Sequence, residues 1–190
     1  MKKFVFLSIL FLQIIAAKKA DLVQISSINP HIKIDLIWAT GNNPLGLILY
    51  PDGIECYLHK PAAYALSEVQ KELATMGYGL KVLEAFRPLW AQKIIWDFIN
   101  FTPSNPNQGR HTLGLAVDVT IIDLKSDEEI DMPPYVYDDG KDYPEVEITD
   151  TQKKNSLLLK TLMMKHNFIP MDEEWFHFDY YNWQEYEALS

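Results

Sequence analysis

At 190 residues the chain can bury one sizeable core and is too short to expect two, so a single domain is expected. A hydrophobic share of 48% with 23% charged residues excludes a disordered or fibrous chain. The formal net charge of -9, with no cluster of Lys and Arg, makes nucleic acid and anionic membrane surfaces poor partner candidates, since both demand concentrated positive charge.

Taken in chain order, residues 1–20 read as a secretory leader: Met1-Lys2-Lys3, an apolar run from Phe4 to Ile15, then Ala16-Ala17. The run falls short of the roughly 20 apolar residues that span a bilayer, so no stable membrane anchor is expected after cleavage. Cleavage after Ala17 would take the charge to -11, and cleavage after Ala20 to -13. An exported protein, periplasmic or secreted, is expected, with residues 21–190 as its folded domain. The lone Cys56 excludes an intramolecular disulfide, and a metal site can supply part of the missing cross-linking.

Ile32 to Trp38 alternates early and predicts a strand, followed by loops punctuated by Asn42-Asn43-Pro44, Gly46 and Pro51-Asp52-Gly53. Ala62, Ala65, Leu66, Val69 and Leu73 recur at helical spacing, so a helix is predicted from Pro61 to Met76, stopped by Gly77 and Gly79. Leu80 to Phe86 predicts a strand, ended by Arg87-Pro88, and Pro88 opens a helix to about Asn100. A loop with Pro103, Pro106 and Gly109 leads to a strand over Leu115 to Ile122. Asp123 to Asp150 reads as a long functional loop, and Asp150 as the cap of a helix from Thr151 to about His166. Trp175 to Tyr181 predicts a last strand. Helices and strands intermix without regular βαβ repetition, which predicts an α+β fold.

Two motifs carry chemistry. Gly109-Arg110-His111 runs on to Asp118, and Glu174-Trp175-Phe176-His177 follows near the end. Two imidazoles and two carboxylates can supply the three ligands of a catalytic zinc, with the fourth group left to handle a proton. His111 and Asp118 are seven apart, so on one straight strand they would face opposite sides; a turn at His111 with a bend at Gly114 lets them converge. Glu174 is expected at the start of the last strand, beside the metal without ligating it. His31, His59 and His166 are expected to be packed or hydrogen-bonded residues.

With Glu84-Ala85-Phe86-Arg87-Pro88, these motifs resemble the family of zinc D-alanyl-D-alanine dipeptidases and related D,D-carboxypeptidases, whose pattern is Ser-x-His-x6-Asp, a late Glu-x-Trp-His or Glu-Trp-Trp-His, and an Arg-Pro after a strand. Trp38-Ala39-Thr40, Asn43, Gly46, Leu49-Tyr50 and Pro61-Ala62-Ala63 are similar to the dipeptidase branch, and the likeness runs from about residue 28 to 183. The resemblance implies a Hedgehog/D,D-peptidase-like domain, with a small antiparallel sheet carrying the zinc site and helices packed against it. It further implies one zinc ion per chain on His111, Asp118 and His177, with Glu174 as general base and acid.

It also implies Arg87 at the scissile carbonyl. An ion pair with Glu84 is the alternative for that residue. The family's Ser and Tyr at two substrate-contacting positions are here Gly109 and Trp38. Asn43 and Asp138 (or Asp139), the latter as a partner for a free α-ammonium, complete the candidate substrate contacts.

The expected activity is hydrolysis of D-alanyl-D-alanine or a similar small dipeptide by a metal-activated water. Two alternatives are a D,D-carboxypeptidase trimming peptidoglycan stem peptides and a zinc-stabilised binding module without turnover.

Overall fold

The computed structural model describes residues 21–99, 109–135, 147–172 and 174–186; the expected leader over residues 1–20 and Asp138 and Asp139 lie outside them. The fold is a single α+β domain, built on a five-stranded sheet, with a separate two-stranded ribbon of β1 (Leu22–Gln24) and β3 (Tyr57–His59). A one-turn helix, α1 (Ile25–Ile28), follows β1.

Two long helices carry the apolar spacing read from the sequence. In α2 (Lys60–Thr75), Ala62, Leu66, Val69 and Leu73 are fully buried, and Pro61 sits in the first turn, where its missing N–H costs nothing. In α4 (Asp150–Lys165) the cap is Thr149 and not Asp150. The Thr149 hydroxyl accepts from the Gln152 backbone N–H at 3.1 Å, and the Gln152 side chain accepts from the Thr149 N–H at 3.0 Å. This reciprocal pair satisfies two N–H groups that the helix itself leaves open, whereas an Asp150 cap would satisfy one. The intervening helix is α3 (Leu89–Ile99).

The main sheet runs in the order β2 (Lys33–Ile34), β4 (Tyr78–Glu84), β5 (Ala116–Asp123), β7 (His177–Tyr180), β6 (Phe168–Pro170). All pairs are antiparallel except β2 with β4, so the expected antiparallel sheet carries one short parallel edge. The strand expected over Ile32 to Trp38 is only that edge: after the Asp35 N–H reaches Val82 O at 2.9 Å, the chain turns into a 3-10 helix over Ile37–Ala39. The last strand likewise begins at His177, because Trp175 and Phe176 lie in a turn.

Val117, Val119 and Ile121 of β5 enter the core shared with the helices, and Asp118 and Thr120 alternate onto the opposite face. Register then sets the site. Glu84 lies opposite Asp118, and Asp118 opposite His177, so three ionisable residues form one row across β4, β5 and β7. Among the described residues no helix is long and apolar enough to cross a membrane.

Candidate metal centre

The expected bend lies at Gly114. A 3-10 turn over Arg110–Leu113 precedes it, and Gly114 itself is left-handed, with φ 68°. A side chain there would be strained, and its Cβ would stand 2.7 Å from Leu22 Cδ2. The bend returns His111 to the face that carries Asp118. At the other motif, the His177 N–H closes a turn onto Glu174 O at 3.0 Å, which brings the two side chains together despite their offset of three.

His111, Asp118 and His177 converge, and all three are buried. His111 Nε2 is 3.2 Å from His177 Nδ1 and 3.3 Å from Asp118 Oδ1, while His177 Nδ1 is 2.9 Å from Asp118 Oδ1. Ligand atoms about 2.0–2.1 Å from a tetrahedral zinc stand about 3.3 Å apart, so the two separations from His111 match such an ion, while the 2.9 Å between His177 and Asp118 is shorter, at hydrogen-bond distance. The rings are turned for it. His111 Nδ1–H donates to Ala85 O at 2.8 Å and His177 Nε2–H donates to Asp179 Oδ1 at 3.1 Å, leaving a lone pair on each inward nitrogen.

Two lone pairs and a carboxylate oxygen facing one another call for positive charge between them. The electrostatics agree. Burial disfavours a charged His177, yet hydrogen bonds to Asp118 and Asp179, with their charges, push its pKa up to about 10, so a proton on Nδ1 and a metal ion compete for the same inward position. Burial likewise works against an ionised Asp118, and the two histidines overcome it, holding the carboxyl far below its ordinary range.

Glu174 stays outside this trio, its Oε2 3.9 Å from His177 Nδ1. Arg87 does form the ion pair with Glu84, and does so beside the centre. Its Nε donates to Glu84 Oε1 at 2.8 Å, its Nη2 to Glu84 Oε2, and its Nη1 to Gln92 Oε1 at 2.6 Å. Burial opposes the guanidinium's charge, but Glu84 and, more weakly, Asp118 raise its pKa further. The Arg87 backbone N–H donates to His111 O at 3.1 Å, tying the strand end to a metal-facing residue.

The candidate substrate residues fall differently. Trp38 is buried, and its indole N–H donates to Glu84 Oε2 at 2.7 Å, so its polar atom braces the Arg87 anchor. Asn43 spends its amide on its own loop, donating to Ile37, Thr40 and Leu47 carbonyls and accepting from the Leu45 and Leu47 N–H groups; it shapes the turn. Gly109 starts the His111 turn and lies against the Gln92 side chain. His59 packs against Tyr186, and His166 pairs with Glu72 at 2.7 Å.

Sequence reasoning named the Glu84 ion pair as an alternative for Arg87 but missed Asp179, Gln92 and the part played by Tyr50, whose hydroxyl donates to Glu84 Oε1 at 3.0 Å. For Glu84 and Asp179 a signal was present, since each falls on the site face of a strand leading to or carrying a motif.

Residues 18–114 match the family model described as D-ala-D-ala dipeptidase, a span that includes Arg87 and His111. Over 182 aligned residues the chain is 25% identical to a D-alanyl-D-alanine dipeptidase of Escherichia coli (strain K12), covering 90% of each protein. Among solved structures it is similar to the LD-carboxypeptidase LdcB, described for its peptidoglycan recognition, with a TM-score of 0.51, 18% identity, and coverage of 87% of this chain and 70% of that one.

Proposed function

Since the chain belongs to the D-Ala-D-Ala dipeptidase family of peptidases, family M15, and is therefore a hydrolase, we propose that it is a zinc-dependent dipeptidase cleaving D-alanyl-D-alanine or a close analogue. The observation that carries this reading is the convergence of His111 Nε2, His177 Nδ1 and Asp118 Oδ1, with a carboxylate and a guanidinium beside them. These three residues would hold the metal. A zinc ion held there would supply Lewis acidity toward a water and a substrate carbonyl.

The protein's own groups do the rest. Glu174, next to the trio but not part of it, accepts the water's proton and returns it to the leaving amine. Arg87 keeps its positive charge at every working pH and faces the negative charge that develops on the carbonyl oxygen. Glu84, itself held by hydrogen bonds from Tyr50 and Trp38, keeps that guanidinium in place. The reading extends to export, with residues 1–20 as a cleaved leader; N-terminal sequencing of the protein recovered from outside the cytoplasm tests it.

The deciding experiment is a panel of D,D-, L,D- and L,L-dipeptides, each with a free or acylated amine, on protein of measured zinc content. Hydrolysis confined to free D,D-dipeptides, with about one zinc per chain, is expected. Faster cleavage of the acylated forms would turn the assignment to a D,D-carboxypeptidase. Glu174→Ala should lower kcat by about 100- to 10,000-fold with zinc retained, and unchanged turnover would overturn the proton-carrier role.

A further inference from the structure

Arg87 has five N–H bonds to place, and the ion pair with Glu84 takes only two of them. A third, on Nη1, goes to the side-chain carbonyl of Gln92 at 2.6 Å, a residue one turn into α3. The contact depends on a neighbour. Gly109 has φ -59° and ψ 126°, a backbone that any residue adopts, so its conformation gives no reason for glycine there. Space does: a Cβ at 109 would lie 3.0 Å from both Cδ and Oε1 of Gln92, and 3.2 Å from its Nε2. The volume that a side chain at 109 would fill is taken by the Gln92 carboxamide.

We propose that Gln92 is a positioning residue for Arg87, fixing the guanidinium beside the metal centre through Nη1, and that Gly109 is glycine to admit it. The inference rests on the role given to Arg87 above. Glu84 grips Nε and Nη2 along one edge of the guanidinium, which leaves the side chain free to pivot about that edge. Gln92 holds the opposite nitrogen and stops the pivot, so the two remaining N–H bonds keep one direction. A group that must meet a charge developing on the substrate gains from being held there before the reaction begins.

The test uses the zinc-loaded protein and the variants Gln92→Ala, Gly109→Val and their combination. The chain contains two arginines, Arg87 and Arg110, so isotope-labelled arginine gives two guanidinium signals to assign by NMR. Restricted rotation about the Arg87 Cζ–Nη1 bond is expected in the parent protein and freer rotation in Gln92→Ala. With whichever dipeptide is hydrolysed, Gln92→Ala should lower kcat by about 10- to 100-fold and change KM much less. Gly109→Val should do the same by displacing Gln92, and adding it to Gln92→Ala should cost little more, because both act through one contact.

Unchanged Nη1 rotation in Gln92→Ala would overturn the proposal, as would losses in the double variant that simply multiply. A protein that hydrolyses no dipeptide refutes the proposed function instead, and the rotation measurement still decides the role of Gln92.

Discussion

Single residues decide whether the metal-facing atoms point inward. Asp179 accepts from His177 Nε2–H and is itself gripped by Arg110, whose Nε lies 3.1 Å from Asp179 Oδ2 and whose guanidinium carbon sits 4.9 Å from the Trp183 ring centre. Such a partner fixes ring orientation and tautomer, so Asp179→Asn should weaken zinc binding by about 10- to 100-fold in a chelator competition. A second prediction concerns Gly114. Gly114→Ala places a side chain in the left-handed region, at a cost of about 1–2 kcal/mol, and drives it into Leu22; thermal unfolding and zinc content should both fall. The four motif residues were legible because ligand chemistry restricts the residue types and their spacing. Asp179 and Gln92 were not, because an Asp or Gln acquires such a role only from what the fold sets opposite it.

Elements were legible in proportion to their length. The helices α2 and α4 show four turns of periodicity, and β4 and β5 are long enough to declare themselves, whereas β1, β3 and β6 have three residues each, too few for any period. The cap of α4 was readable and misplaced: Thr149-Asp150-Thr151-Gln152 is a capping-box pattern, and reciprocity favours Thr149. Thr149→Ala should cost about 1 kcal/mol, a drop in melting temperature of roughly 2–4 °C, without touching zinc content. Between helices, Glu72 of α2 accepts from Lys165 at 2.8 Å and pairs with His166 at 2.7 Å. These hydrogen bonds, Lys165 first, lower the Glu72 pKa. A depressed carboxylate stabilises the fold above its unfolded pKa of about 4.3 and loses that contribution as pH falls through the lower folded value. The melting-temperature gap between the parent protein and Glu72→Gln should therefore close between about pH 5 and pH 3; a gap that persists in acid would show that the bridge acts other than through charge.

At the scale of the whole molecule, the metal centre and the core are separable. Most of the core runs from Ile25 through α2, β4, β5 and α4 to Tyr180, on the face opposite the ligands, and Trp38 and Tyr50 carry it round to Glu84 beside the site. Removing metal with a chelator should abolish hydrolysis while far-UV circular dichroism persists, and added zinc should restore activity; unfolding on chelation would instead favour the zinc-stabilised binding module. The single α+β domain was legible because length, composition and element order already restrict the architecture. The parallel β2 edge and the strand order were not, since pairing depends on contacts distant in sequence. The row of Glu84, Asp118 and His177 adds a matter of timing. A ribosome delivers β4 and β5 long before β7, and β7 must slot between β5 and β6 before its histidine meets the other two ligands. Until that insertion the growing chain holds two of the three metal ligands, so the site is completed only when β7 joins the sheet.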